Sequence, residues 1–211
     1  MVKIRTLDEF QNALDKEIAW RKKELSVFKT GAKTNGHQRK PFIRAGVALL
    51  YAHWEGFITS SSNHYLSFVE GQRCSYTELK SCFGVFGLKQ KLNTLSESKN
   101  AAQNIDALDF IRDGMDETAK LRMSDVLRTA NLRSEVFSDI ARWLDIDITS
   151  FETHFKLIDE SLVKKRNEIA HGEYVDLSGE DFGVLINEIQ TIMDGYKTAL
   201  ENAASLKGYK R

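Results

Sequence analysis

The sequence predicts an all-α protein, a helical bundle with a less regular helical segment in the middle of the chain. Apolar residues recur mostly at three- and four-residue spacing rather than alternating, which is typical of helices. The 211 residues include one proline, Pro41, and 42% of the chain is hydrophobic. That is enough apolar material for one sizeable core. We expect a single domain over residues 1–211, in which residues 72–123 form an insert.

The first two predicted helices carry most of this core. The first begins at Thr6, where Glu9 completes a capping-box pattern, and runs to about Lys29 before the loop GAKTNGHQ. The second starts near Pro41, because a missing amide hydrogen costs nothing in a first helical turn. It is the most apolar helix and therefore central, with Leu49, Leu50, Trp54, Phe57 and Ile58.

The middle of the chain has the weakest pattern. Between Gly71 and Met123, Gly84 and Gly87 interrupt an aromatic run, and the polar stretch SESKNAAQN indicates an exposed loop. Helical spacing returns over residues 132–144, where Asn131 is the candidate N-cap.

Two more helices follow. Thr149, with Glu152 three residues later, predicts a capping box for a helix that continues to His171 and is stopped by Gly172. The final helix starts near Ser178, again with an acidic residue three positions on. Its apolar residues are Leu185, Ile189, Ile192, Met193, Tyr196 and Leu200.

The helix that begins at Thr149 breaks its own apolar pattern. Its stripe of Phe151, Phe155, Ile158 and Leu162 has spacings of four, three and four, so the next core position falls on Arg166. A guanidinium cannot lose its proton, and if buried it needs acidic or phosphate partners. Asn167 and His171 lie within roughly 40° of each other on the helix, and the side chain of Arg166 can largely cover the roughly 7.5 Å to His171.

These three polar groups could converge on one small anion. The alternative is that Arg166 extends from the edge of the stripe into water and that His171 only caps the helix.

Composition excludes several other functions. Lys+Arg and Asp+Glu both number 30, so no overall charge points to nucleic acid or to a membrane. No apolar run reaches the length of a membrane span, and Cys74 and Cys82 are a poor disulfide framework. We expect reduced thiols and a cytoplasmic protein.

No cofactor or metal is predicted. The chain lacks a phosphate-binding glycine loop. Its histidines show no ligand spacing with the cysteines; they are His37, His53, His64, His154 and His171.

Residues 165–172 resemble the R-N-x3-H-G signature of the HEPN superfamily. Residues 49–57, 131–144 and 208–210 resemble its RiboL-PSP-like (MAE-type) branch in order and spacing. The resemblance implies a HEPN-like helical bundle, usually a homodimer with two copies of the signature across a shared cleft. It also implies a metal-independent endoribonuclease, often a toxin or antiviral defence effector, with an RNA substrate and an antitoxin or sensor protein as a candidate partner.

Carried onto this chain, the resemblance makes Arg166 and His171 the catalytic pair and Asn167 the polar residue that commonly follows the arginine. Glu55 is a candidate carboxylate partner of Arg166, or else a solvated acid beside Trp54. Tyr174 lies three residues beyond His171, whereas nucleotide-modified HEPN toxins carry a tyrosine two beyond, which argues against that form of regulation.

Two alternatives remain at this point. The chain could be a non-catalytic helical module that binds RNA, a nucleotide or a protein through the Arg166 cleft, or a structural bundle in which the motif is coincidental. The second must explain a charge at a core position.

Overall fold

The computed structural model describes residues 3–33, 39–122 and 131–211. These residues form no β-strand, only the isolated bridges Ser75–Thr118 and Leu79–Lys210, so the predicted all-α class is confirmed. The α-helices are α1 (Leu7–Gly31), α2 (Arg39–Gly71), α3 (Ser81–Glu97), α4 (Ala101–Asp113), α5 (Ser134–Trp143), α6 (Lys164–Ala170) and α7 (Gly179–Ser205). Residues 34–38, which include His37 and most of the predicted GAKTNGHQ loop, lie outside the described ranges.

The core lies where α1, α2 and α7 pack against one another. On α2, Trp54 packs its indole against Phe137 of α5 at 5.2 Å between ring centres, and Phe137 packs against Tyr196 of α7 at 5.3 Å. The indole nitrogen of Trp54 donates a hydrogen bond to the carbonyl of Leu132 at 3.1 Å. The segment before α5 is thereby fixed to α2.

The predicted starts of α1 and α7 are confirmed. At α1, Thr6 and Glu9 form the reciprocal capping box. At α7, Ser178 Oγ accepts from the amide of Asp181 at 3.0 Å. Each cap satisfies an amide that has no partner within its helix, which is typically worth about 1 kcal/mol.

The middle of the chain is more helical than predicted. Helix α3 continues through Gly84 and Gly87. The glycine at position 87 has a packing role, since a Cβ there would lie 2.6 Å from the ring of Tyr76. The polar loop predicted over residues 96–104 is also wrong, because α3 extends into its start and α4 into its end. Only residues 98–100 of that stretch are non-helical, and Asn100 caps α4.

The predicted cap of α5 is wrong. Asn131 lies in the left-handed region with φ of 60°, and the N-cap position is Arg133. The carboxylate of Asp159 caps the helix instead, accepting from the amide and the hydroxyl of Ser134 at 2.8 and 2.6 Å. Because Asp159 lies 25 residues further along the chain, no local pattern could reveal it.

The predicted continuous helix from Thr149 to His171 is also wrong. Its residues form a 3-10 helix (Thr149–His154), a π-helix (Leu157–Val163) and then α6. Thr149 lies inside the first of these, and Asp147 accepts its amide and hydroxyl hydrogen bonds. In the wider π turn both Leu162 and Val163 are fully buried, so a spacing of 3.6 residues per turn does not extend through it.

Candidate functional site

Helix α6 packs against α2 and brings Arg166 onto the face of Tyr51. The central guanidinium carbon of Arg166 lies 3.7 Å from the centre of the Tyr51 ring, close enough for a cation–π contact. Its Nη1 donates to Asn167 Oδ1 at 2.8 Å, while its Nε is buried without a hydrogen-bond partner. Among the described residues no carboxylate forms an ion pair with this half-buried guanidinium. Its charge is therefore not compensated within this part of the chain.

Two hydrogen bonds fix the Tyr51 ring. Its hydroxyl donates to Glu55 Oε1 at 2.6 Å and accepts from the amide of Leu132 at 2.8 Å. Burial, together with the hydrogen bond to Glu55, raises the pKa of Tyr51 to about 12, so the hydroxyl stays protonated at neutral pH. Glu55 thus contacts the platform beneath Arg166 rather than Arg166 itself.

His171 lies at the C-cap of α6 and is exposed. Its amide donates to the carbonyl of Asn167 at 2.9 Å. Its imidazole makes no hydrogen bond to any other residue in the described ranges. The structure therefore brings Arg166 and Asn167 into contact and leaves the His171 ring open to an external group.

The chain reverses immediately after His171. Gly172 has φ of 81°, a conformation that favours glycine, and the amide of Glu173 closes α6 on the carbonyl of Glu168 at 2.8 Å. Gly172 ends the helix as the sequence predicted.

Two cations of α2 hold this turn, and the sequence reasoning did not identify either of them. Arg44 Nη2 donates to the carbonyl of Glu173 at 3.0 Å. Lys40 Nζ donates to the Tyr174 hydroxyl at 2.7 Å and pairs with Asp176 at 3.3 Å. A signal was available, since positions 40, 44, 51 and 55 recur at helical spacing and share one face of α2.

His53, also on α2, faces α1 instead. It is 3% exposed, and its Nε2 lies 3.0 Å from Glu24 Oε2 without hydrogen-bond alignment. Its ring contacts Trp20 edge-on at 5.1 Å. Burial lowers the pKa of His53, although the charge of Glu24 opposes the shift. His53 is a core histidine of the α1–α2 contact, on another side of α2 from Tyr51.

Neither a metal site nor a membrane span is apparent in the part of the chain described. Nowhere in it do three or more histidine, cysteine, aspartate or glutamate side chains group as metal ligands. None of its helices has both the length and the apolar character that crossing a bilayer requires.

A comparison with protein families places residues 16–202 in the RiboL-PSP-HEPN model. The match includes every residue of the Arg166–His171 segment and the Tyr51–Glu55 pair beneath it. No curated protein and no solved structure matches the chain.

Proposed function

Because the chain belongs to the RiboL-PSP-HEPN family of the HEPN superfamily, we propose that it is a metal-independent endoribonuclease acting through Arg166, Asn167 and His171. One observation carries the proposal: the half-buried guanidinium of Arg166 has a buried Nε without a partner and no carboxylate paired with it among the described residues. A charge that cannot be neutralised by proton loss requires an anion. The phosphodiester of RNA is such an anion.

The chemistry needs little from the protein because RNA supplies its own nucleophile. The 2′-oxygen attacks phosphorus and loses its proton to a base, the bond from phosphorus to the 5′-oxygen breaks, and that oxygen takes a proton. The products carry a 2′,3′-cyclic phosphate and a free 5′-hydroxyl. In this scheme Arg166 stabilises the charge that develops on the phosphate oxygens.

We assign proton transfer to His171. Its exposed ring can protonate the leaving 5′-oxygen or, when neutral, accept the 2′-proton. Asn167 holds Nη1 of Arg166 and thereby orients the guanidinium.

Two copies of His171 could divide the acid and base roles, so we propose a homodimer in which the sites of both subunits meet. We further propose action in the cytoplasm as a toxin or antiviral defence effector, with an antitoxin or sensor protein as partner. The free thiols of Cys74 and Cys82 are consistent with a reducing compartment.

Glu55 takes part through Tyr51. By accepting the Tyr51 hydroxyl it holds the ring flat beneath Arg166, so we propose that it positions the arginine without contacting substrate. In this proposal Glu55 remains a carboxylate partner of Arg166, as the sequence suggested, but it acts through Tyr51.

A second candidate function is a non-catalytic module that binds RNA, a nucleotide or a protein. It is favoured by the lack of any hydrogen bond that orients the His171 imidazole within the described residues, since catalytic histidines are usually oriented by a neighbouring group. Under this reading Arg166 binds a phosphate and His171 has no chemical role.

The deciding experiment compares the wild type with His171→Ala and Arg166→Lys on mixed structured and single-stranded RNA in EDTA, with mapping of the product ends. We expect cyclic-phosphate ends from the wild type and a loss of roughly 100-fold or more in each variant. Lysine cannot replace arginine in Arg166→Lys, because an ammonium group lacks the planar pair of donors with which a guanidinium binds phosphate. Cleavage that requires magnesium would contradict the proposed metal-independent mechanism. RNA binding without cleavage would favour the non-catalytic binding module.

A further inference from the structure

Arg44 has the same unusual environment as Arg166. It is half-buried on α2, and its Nη2 donates to the carbonyl of Glu173 at 3.0 Å. Its buried Nε has no hydrogen-bond partner among the described residues. Within the ranges that the structure describes, no carboxylate forms an ion pair with it. Its neighbour Lys40, by contrast, pairs with Asp176. Arg44 is therefore a second guanidinium without a paired carboxylate in the described part of the chain.

Both arginines lie along α2, since Arg44 is part of that helix and Arg166 contacts Tyr51 on it. Arg44 and Tyr51 are seven residues apart on α2, two turns or about 10.5 Å along the axis. Arg166 lies on Tyr51, and Glu173 lies at Arg44. The chain from Arg166 to Glu173 therefore runs alongside α2 in the opposite direction, and His171 comes between the two points.

Resting on the ribonuclease activity proposed above, we infer that Arg44 binds a second phosphate of the same RNA strand, next to the one that Arg166 and His171 act on. The carbonyl of Glu173 orients the Arg44 fork, and the Nη donors outside that bond are left for an anion. The substrate class follows from the geometry. The preferred substrate is a strand with at least two phosphodiesters, which should be cleaved faster than a dinucleotide because a dinucleotide has no second phosphate for Arg44.

A purely structural role for Arg44 predicts something different. If Arg44 only holds the turn after His171, its loss displaces His171 and harms every substrate equally. If Arg44 binds a second phosphate, only substrates that possess one are affected. Substrate length therefore separates the two roles.

The cleavage experiment uses two substrates with one ribonucleotide each, because only that sugar carries the attacking 2′-hydroxyl. One is a dinucleotide with a single phosphodiester, and the other has two deoxynucleotides added on each side. For Arg44→Gln we expect kcat/KM to fall about tenfold on the long substrate and to stay within about twofold on the dinucleotide. Arg142→Gln is the matched control, since Arg142 lies on the exposed side of α5 and pairs with Asp139. It should change neither value.

The binding experiment does not require cleavage. In a His171→Ala background, the affinity for a labelled single-stranded RNA is measured by fluorescence anisotropy over a range of salt. Loss of one phosphate contact lowers the slope of log affinity against log salt by about 0.7. We expect that change for Arg44→Gln and no change for Arg44→Lys, which keeps the charge.

Equal losses on the two substrates, or no loss on either, would overturn the inference for cleavage, and an unchanged salt slope would overturn it for binding. A wild type that cleaves neither substrate while Arg44→Gln still lowers the slope would refute the ribonuclease proposal and leave the phosphate site standing. The two proposals can thus fail separately.

Discussion

Arg166 stacks its guanidinium on the ring of Tyr51, with 3.7 Å between the guanidinium carbon and the ring centre. An aromatic face attracts a cation without cancelling its charge, whereas a carboxylate would neutralise it and compete with phosphate. Arg166 is thereby held in place and still available to an anion. Substitutions of Tyr51 should therefore change any activity that depends on Arg166.

Tyr51→Phe should separate the contribution of the ring from that of the hydroxyl. The variant keeps the face beneath Arg166 but leaves the buried amide of Leu132 without its acceptor. We expect the free energy of unfolding to fall by about 1–3 kcal/mol in urea denaturation, and kcat/KM to fall severalfold because Glu55 no longer holds the ring beneath Arg166. Tyr51→Leu should lower kcat/KM further at similar stability, because it removes the π face. Equal activity in the two variants would show that the stacking contact does not position Arg166.

Gly172→Ala should destabilise the turn that ends α6. At φ of 81° an alanine adopts an unfavourable conformation although no atom lies within 4 Å of the added Cβ, so the effect is one of backbone strain alone. We expect a loss of about 1–2 kcal/mol in the free energy of unfolding. Gly172→Asn should lose less, since asparagine tolerates the left-handed region better than alanine. Equal losses in the two variants would contradict this explanation.

Asp159→Ala should destabilise α5 from a distance. The carboxylate accepts from both the amide and the hydroxyl of Ser134, so its removal leaves the start of the helix uncapped. We expect a loss of about 1–2 kcal/mol by thermal or urea denaturation. Asp139→Ala on the same helix is the control, because the pair of Asp139 with Arg142 is solvent-exposed and such pairs contribute little. Similar losses in both variants would mean that the Asp159 cap contributes nothing specific.

The buried ring of His53 should make stability depend on pH. Burial lowers its pKa in the folded chain, whereas in the unfolded chain the ring titrates near 6.5. The unfolded chain therefore binds more protons as the pH falls through 6.5. The stability contributed by the neutral ring is present above that pH and is lost progressively below it, down to the folded pKa.

This is measured as the difference in urea midpoint between pH 7.5 and pH 5.5 for the wild type and for His53→Gln. The charged neighbours Glu24 and Arg21 are present in both proteins, so the comparison isolates the imidazole. We expect a smaller difference in the variant. The same difference in both proteins would show that His53 is not the group responsible.

Features that depend on a few neighbouring residues could be predicted from the sequence. The caps at Thr6 and Ser178 join residues three positions apart, and the stop at Gly172 depends on the conformational freedom of one residue. The motif from Arg166 to His171 could also be proposed from the sequence, because its R-N-x3-H-G signature lies within a few adjacent residues. Such signals are local, so they survive without knowledge of the packing.

Other features required the tertiary structure. Tyr51 and Arg166 are 115 positions apart, and only the packing of α6 on α2 decides that an aromatic ring rather than Glu55 faces the guanidinium. The π-helix changes the number of residues per turn just before α6, so the orientation of Arg166 could not be extrapolated from Phe151. The same packing brings Arg44 to Glu173 and Asp159 to Ser134. A sequence pattern records which side chains share a face of one helix, whereas contacts between helices depend on how the whole core is filled.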